Sequence, residues 1–251
     1  MRRLITVVSS VAVALFATAC SKPAPESAAD ESTPAESSGA ADAGQVAGSD
    51  PVAVDPDHYA VEFENDRVRV LRINYGPGEE SVQHYHPDSV AVFMTDIDAE
   101  MVLPDGTIEP ASAPAGTVVF NPANEHLPRN NSDAPFEVVE IELKPGTAGG
   151  AAPGGPDPTV VDADHYTTEF ENDAVRVVRI AYGDGEASVM HYHPDSVAVF
   201  LTDHLVEMTM PDGSTQEVPA DAGDVMFIPG GQHLPKNVAG ADWELVLVEL
   251  K

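Results

Sequence analysis

Residues Val54–Lys144 recur as Val161–Lys251, 107 positions later and without a gap, with more than half of the residues identical. A duplication this complete restricts the chain to two copies of one folding unit, each long enough to bury a core of its own. Between the copies Pro145–Val160 reads PGTAGGAAPGGPDPTV, a run with no apolar periodicity that is expected to act as a flexible linker.

Within a copy the local signals are those of short strands. Val68 and Val70 alternate with arginines after an Asn65-Asp66 turn, SVAVFMTD and SVAVFLTD supply further strands, and each copy closes on an alternating apolar segment, Val138–Leu143 and Leu245–Leu250. Pro104-Asp105-Gly106 and Pro211-Asp212-Gly213 are hairpin turns of the Asp-Gly kind. No ten-residue stretch carries a capped helical stripe, so the expected class is all-β, a barrel or sandwich in each copy.

The chain opens on MRRLITVVSSVAVALFATAC, with Arg2 and Arg3 ahead of an apolar run from Leu4 to Ala17. That run is too short for a stable membrane span and fits an export signal. Phe16-Ala17-Thr18-Ala19-Cys20 resembles the lipobox of bacterial lipoproteins, although Ala17 stands where leucine is commoner. The resemblance implies cleavage before Cys20, the sole cysteine, and lipidation of its new N-terminus. An ordinary secretory signal ending near a cysteine is the alternative. Ser21 rather than aspartate implies, by the same resemblance, the periplasmic side of the outer membrane. From there to about Pro51 the sequence is Ala, Ser, Pro, Glu and Gly, which cannot bury enough apolar surface to offset ordering entropy and is expected to be a disordered tether. The expected divisions are therefore a signal peptide over 1–19, a tether over 20–51, a first domain over 52–144, the linker over 145–160 and a second domain over 161–251.

Acidic residues outnumber basic ones 42 to 12, for a formal charge of −30. Nucleic acid and bare anionic lipid would be repelled, so neither is expected as a partner; contact with a membrane is expected through the lipid anchor alone.

The chemistry concentrates in histidines. His84 and His86 are two residues apart, as are His191 and His193, and on a strand such pairs enter the same space. From thirty to forty-four residues after His86 come Gly116, Pro122, His126 and Asn130, repeated as Gly223, Pro229, His233 and Asn237. These motifs resemble those of the cupin family: a glycine (Gly78, Gly185), five residues and His-x-His, then a glycine, five residues, a proline, a short loop, a histidine, three residues and an asparagine. The loop from Pro122 to His126, and from Pro229 to His233, is one residue shorter than the commonest spacing. Small single-domain cupins associated with β-alanine degradation look similar around HPDSVAVF and HLPxN. The resemblance covers both copies and implies two tandem double-stranded β-helix (jelly-roll) barrels, which as a bicupin would pack as an intrachain pseudo-dimer.

The family's glutamate ligand falls on Val90 or Ala91, and on Val197 or Ala198, so it is missing from both copies. What the resemblance then implies is one divalent metal per barrel held by His84, His86 and His126, and by His191, His193 and His233. Iron, zinc, nickel and manganese all suit such a site. Three neutral imidazoles leave the metal its full charge and open positions, favouring an anionic or chelating small molecule. Asp88 and Asp195 offer a supporting acceptor or a replacement carboxylate, or else form a turn. Asn130 and Asn237 are expected to brace the loop of the last histidine. Arg69, Arg72, Arg176 and Arg179 either clamp a carboxylate or lie solvated. His204, with Ile97 as its counterpart, is expected at the surface, and His58 and His165 outside the site. Three functions follow: metal-dependent chemistry of the dioxygenase or Lewis-acid type, ligand or metal capture without turnover, and a structural pseudo-dimer without metal.

Overall fold

The computed structural model describes residues 48–146 and 154–251. The signal peptide, Cys20, most of the tether and the middle of the linker lie outside them. Among the described residues no helix is long and apolar enough to cross a membrane.

The first module runs α1 (Pro51–Val54), β1 (Tyr59–Glu64), β2 (Val68–Tyr75), β3 (His84–His86), β4 (Ser89–Phe93), β5 (Ile97–Val102), β6 (Ile108–Ala113), β7 (Val118–Asn121), β8 (Asn124–Asn130) and β9 (Phe136–Leu143). The second repeats it as α2 (Pro158–Val161), β10 (Tyr166–Glu171), β11 (Val175–Tyr182), β12 (His191–His193), β13 (Ser196–Phe200), β14 (His204–Thr209), β15 (Thr215–Ala220), β16 (Val225–Ile228), β17 (Gly231–Asn237) and β18 (Trp243–Leu250). Each module is a five-stranded and a four-stranded antiparallel sheet, in the orders β1-β2-β9-β4-β7 and β3-β8-β5-β6, with the same arrangement in the second. The all-β class and the two-barrel architecture follow directly.

The short helices stand at the edges of the segments expected to lack structure. Asp50 caps α1 by accepting from the Val52 amide at 2.9 Å, and Asp157 caps α2 through Thr159 at 2.9 Å. A proline follows each cap, where its missing N–H costs nothing. One turn of helix is too short to show an apolar stripe, so its signal is the cap alone. The Asp-Gly hairpins join β5 to β6 and β14 to β15, with Gly106 and Gly213 at φ of 84° and 82°, a region that favours glycine.

Strand periodicity sorts the core. In β9, Phe136 and Val138 point into the first barrel, while Val139, Ile141 and Leu143 point out of it. In β18, Trp243, Leu245 and Leu247 point inward and Val246, Val248 and Leu250 outward. The outward valines of both modules form one buried cluster in which Val68, Val70, Val90 and Val92 join Val175, Val177, Val197 and Val199. Both faces of each five-stranded sheet are therefore covered, one by its own barrel and one by the other module. Reciprocal contacts frame this junction: Arg72 donates to the Gly223 carbonyl and Arg179 to the Gly116 carbonyl, each at 2.6 Å. The same patch meets its counterpart from both sides, as in a twofold dimer.

Candidate metal centre

β3 pairs with β8 so that His84 lies directly opposite His126, and β12 pairs with β17 so that His191 lies opposite His233. Opposed residues of an antiparallel pair share a face, as do residues two apart on one strand. Register and period thus bring His84, His86 and His126 together, and likewise His191, His193 and His233, with one ring nitrogen from each residue inside a 4.8 Å cluster. The early pair is fully buried in each module, and the late histidine is partly covered.

In the first module every imidazole is anchored through Nδ1. His84 Nδ1 donates to the Val82 carbonyl at 2.8 Å, His86 Nδ1 to Glu142 at 2.8 Å and His126 Nδ1 to Asn124 at 2.6 Å. Such bonds fix the tautomer and leave the lone pair on Nε2, which in His84 accepts from the Tyr59 hydroxyl. The second module keeps the first two anchors, His191 to Val189 at 2.8 Å and His193 to Glu249 at 2.6 Å, but Gly231 replaces Asn124 beside His233. His86 Nε2 and His191 Nε2 are buried without a protein partner. A buried acceptor left dry is costly, and a metal ion at the centre of the triad would satisfy it. The residues present fit a divalent metal.

Burial, with the charge of neighbouring His86, holds His84 down to about 4 and His126 down to about 3. Burial and the adjacent imidazoles hold His191 at about 4 and His233 at about 3. Neutral imidazole is the form that binds metal, so these four side chains need lose no proton near neutrality. For His86 burial again opposes charge, but the carboxylates of Glu140 and Glu142 outweigh it and raise the imidazole above its usual range.

Several participants were not anticipated from sequence. Glu142 and Glu249 are almost wholly buried, and each bridges a triad histidine to an arginine: His86 to Arg69, and His193 to Arg176. The Tyr59 hydroxyl lies 3.0 Å from His84 Nε2 and accepts from Tyr75 at 2.9 Å. Tyr166 and Tyr182 repeat the pair at 2.8 Å. Identity at fixed spacing in both copies was the available signal. His58 and His165 stack on Tyr75 and Tyr182 with ring centroids 4.2 and 4.1 Å apart. They pair with Asp55 and Asp162 rather than entering the triads.

Other residues take structural places. Asp88 and Asp195 accept from the Ala123 and Gly230 amides, each at 2.8 Å, tying the strand after His-x-His to the loop before the last histidine. Asn130 donates to the Gly76 and Ala134 carbonyls at 2.9 and 2.8 Å, and Asn237 to those of Gly183 and Ala241 at the same distances. The arginines are neither carboxylate clamps in a cavity nor solvated. Arg69 pairs with Glu142 and Asp50, and Arg72 with Glu62 and Glu137. His204 is not at the surface: it is only 8% exposed, packed edge-on against Trp243 at 4.4 Å. The Trp243 indole, larger than the Phe136 ring at that position in the first module, closes over it.

No family model matches the chain, and no curated protein matches it. Among solved structures, a cupin domain from Bordetella pertussis Tohama I is 34% identical, with 34% of this chain covering 91% of that one and a TM-score of 0.33. The chain belongs to the cupin family. AerE from Microcystis aeruginosa shares 14% identity over 77% of this cupin and 93% of its own length, with a TM-score of 0.57. A variant oxalate decarboxylase from Bacillus subtilis shares 11% over 76% and 71%, with a TM-score of 0.53. These last two likenesses are of fold.

Proposed function

We propose that this cupin holds one divalent metal ion in each barrel and presents it to a small anionic or chelating metabolite. The supporting observation is the set of Nδ1 anchors, which turns the Nε2 atoms of His84, His86 and His126 toward one point. When bound, the metal would supply Lewis acidity or, as iron, the activation of oxygen. The protein's own residues bind and orient: Glu142 and Glu249 steady one imidazole each, and the aromatic rings of Tyr59 and Tyr166 cover the triads at 4.8 Å from His84 and His191. Three neutral ligands leave the metal its full charge, which favours an anion or a chelating group in the open positions wherever no carboxylate of the protein lines the same cavity.

In this proposal the chain is an exported lipoprotein, held by lipid on Cys20 at the periplasmic side of the outer membrane, with the tether spacing the barrels from the bilayer. Cys20→Ala should release it to the soluble fraction, and persistent membrane association would count against lipidation.

The central test is metal analysis after reconstitution with iron, zinc, nickel and manganese in turn. Close to two ions per chain are expected, falling to near zero in His126→Ala/His233→Ala with the circular dichroism unchanged. Full stoichiometry in that variant refutes the ligand assignment. Oxygen consumption and product formation over a panel of small acids then separate catalysis from capture.

A further inference from the structure

We infer that the two pockets facing the triads have diverged to select different ligands, the second taking a carboxylate with an apolar body and the first excluding it. The inference rests on the metal-centre reading above and specifies the ligand class of one of its sites.

The decisive pair is Glu140 and Leu247, equivalent positions in the repeat. Glu140 lies opposite Ala91 across the β4–β9 ladder, and Leu247 opposite Ala198 across β13–β18. Opposed residues share a face, so Glu140 brings a carboxyl group from the next strand to the space that a glutamate at Ala91 would have reached. It is 6% exposed, accepts from Ser89 Oγ at 2.6 Å and lines the first cavity together with His126. Its charge acts on all three imidazoles of that triad. Leu247, 3% exposed, puts a hydrocarbon in the same place.

The rest of the lining changes in the same sense. Asn121 and Asn124 become Ile228 and Gly231, and Val119 becomes Met226. The second cavity is lined by no acidic or basic side chain other than histidine. The bulkier side chains also narrow it, to about 400 Å³ from about 560 Å³ in the first, within the range of small-ligand sites. An apolar body gains from such walls, while a carboxylate head meets no acidic side chain in the cavity lining, Glu249 being paired with Arg176 behind His193. In the first pocket the same head would face Glu140, and like charges at close range disfavour binding.

Trp243, the chain's only tryptophan, lines the second cavity and reports on it directly. The test titrates the full zinc-loaded chain with octanoate, reading Trp243 fluorescence and calorimetric stoichiometry, with zinc measured on the same samples. A saturable Trp243 response at one octanoate per chain is expected, with acetate at least about tenfold weaker because its apolar surface is smaller. Leu247→Glu, which places the carboxyl group beside Ser196 as Glu140 stands beside Ser89, should weaken octanoate at least about tenfold. Glu140→Leu should raise the stoichiometry toward two while leaving the Trp243 titration unchanged. If Leu247→Glu folds poorly by circular dichroism, Ile228→Asn serves in its place and should weaken binding severalfold. Two equivalent octanoate sites in the native chain, or undiminished affinity in the folded variant, would overturn the inference. Two zinc ions with no Trp243 response overturn it alone, whereas absence of zinc overturns the metal-centre reading and this inference together.

Discussion

His86 Nδ1 and Glu142 Oε1 lie 2.8 Å apart in the interior of the first barrel, and the other oxygen of that carboxylate accepts from Arg69 Nε at 2.5 Å. Glu142 belongs to β9, 56 residues beyond the histidine it orients. The second module repeats the arrangement with His193, Glu249 and Arg176. There burial pushes the Glu249 carboxyl up, but the hydrogen bonds from His193 and Arg176 outweigh it and hold it below the usual carboxylate range. Removing an orienting partner of this kind lowers metal affinity by about 10–100-fold. Glu142→Gln should do so in the first site alone, as measured by competition with a chelator, and an unchanged affinity would show that the anchor is dispensable.

The burial of His204 makes stability depend on acid. Desolvation lowers its pKa to about 4, below the ordinary value of about 6.5, so between those values the unfolded chain binds the additional proton. Stability is fully present above about pH 6.5 and is lost as pH falls through about 4. The contribution is on the order of 2 kcal/mol once solvent screening is allowed for. In metal-free protein His204→Ile, which installs the residue found at Ile97, should flatten the urea midpoint between pH 6.5 and 4. The triad histidines keep their own acid dependence, so a slope equal to that of the native chain would rule out His204 as a contributor.

The shared valine cluster couples the two modules. Val92 is wholly buried in it, and an unpaired charge there is costly, at least about 3 kcal/mol. Trp243 sits in the other module, so its fluorescence during urea unfolding reads the consequence at a distance. Val92→Asp should lower the Trp243 midpoint, while a midpoint equal to that of the native chain would mean that the modules unfold independently.

Asn130 closes a loop rather than touching a ligand. It is 2% exposed, and besides its two donations its Oδ1 accepts from the Ser132 amide at 3.0 Å. Each buried partner left unsatisfied costs about 1–3 kcal/mol, so Asn130→Ala should destabilise the chain by at least about 2 kcal/mol. Metal affinity should fall less than for Glu142→Gln. Chemical denaturation and chelator competition on the same preparation distinguish the two effects.

What sequence alone determined was the local and the periodic. The repeat announced two modules, alternating apolar residues announced strands, and His-x-His announced two imidazoles on one face, because strand period is a property of neighbouring residues. The later histidine was legible through motif resemblance, and its meeting with the pair is the work of one ladder, His84 opposite His126. What only the tertiary structure decided depends on partners remote in the chain. Strand register carries Glu142 to His86 and sets Glu140 against Ala91, so a position without its family carboxylate regains one from a different strand in one module only. Packing between modules drew Arg72 to a backbone carbonyl of the other repeat, and Trp243 covered His204. No local pattern encodes those pairings, since they are fixed by which strands lie side by side and by what each sheet face must bury.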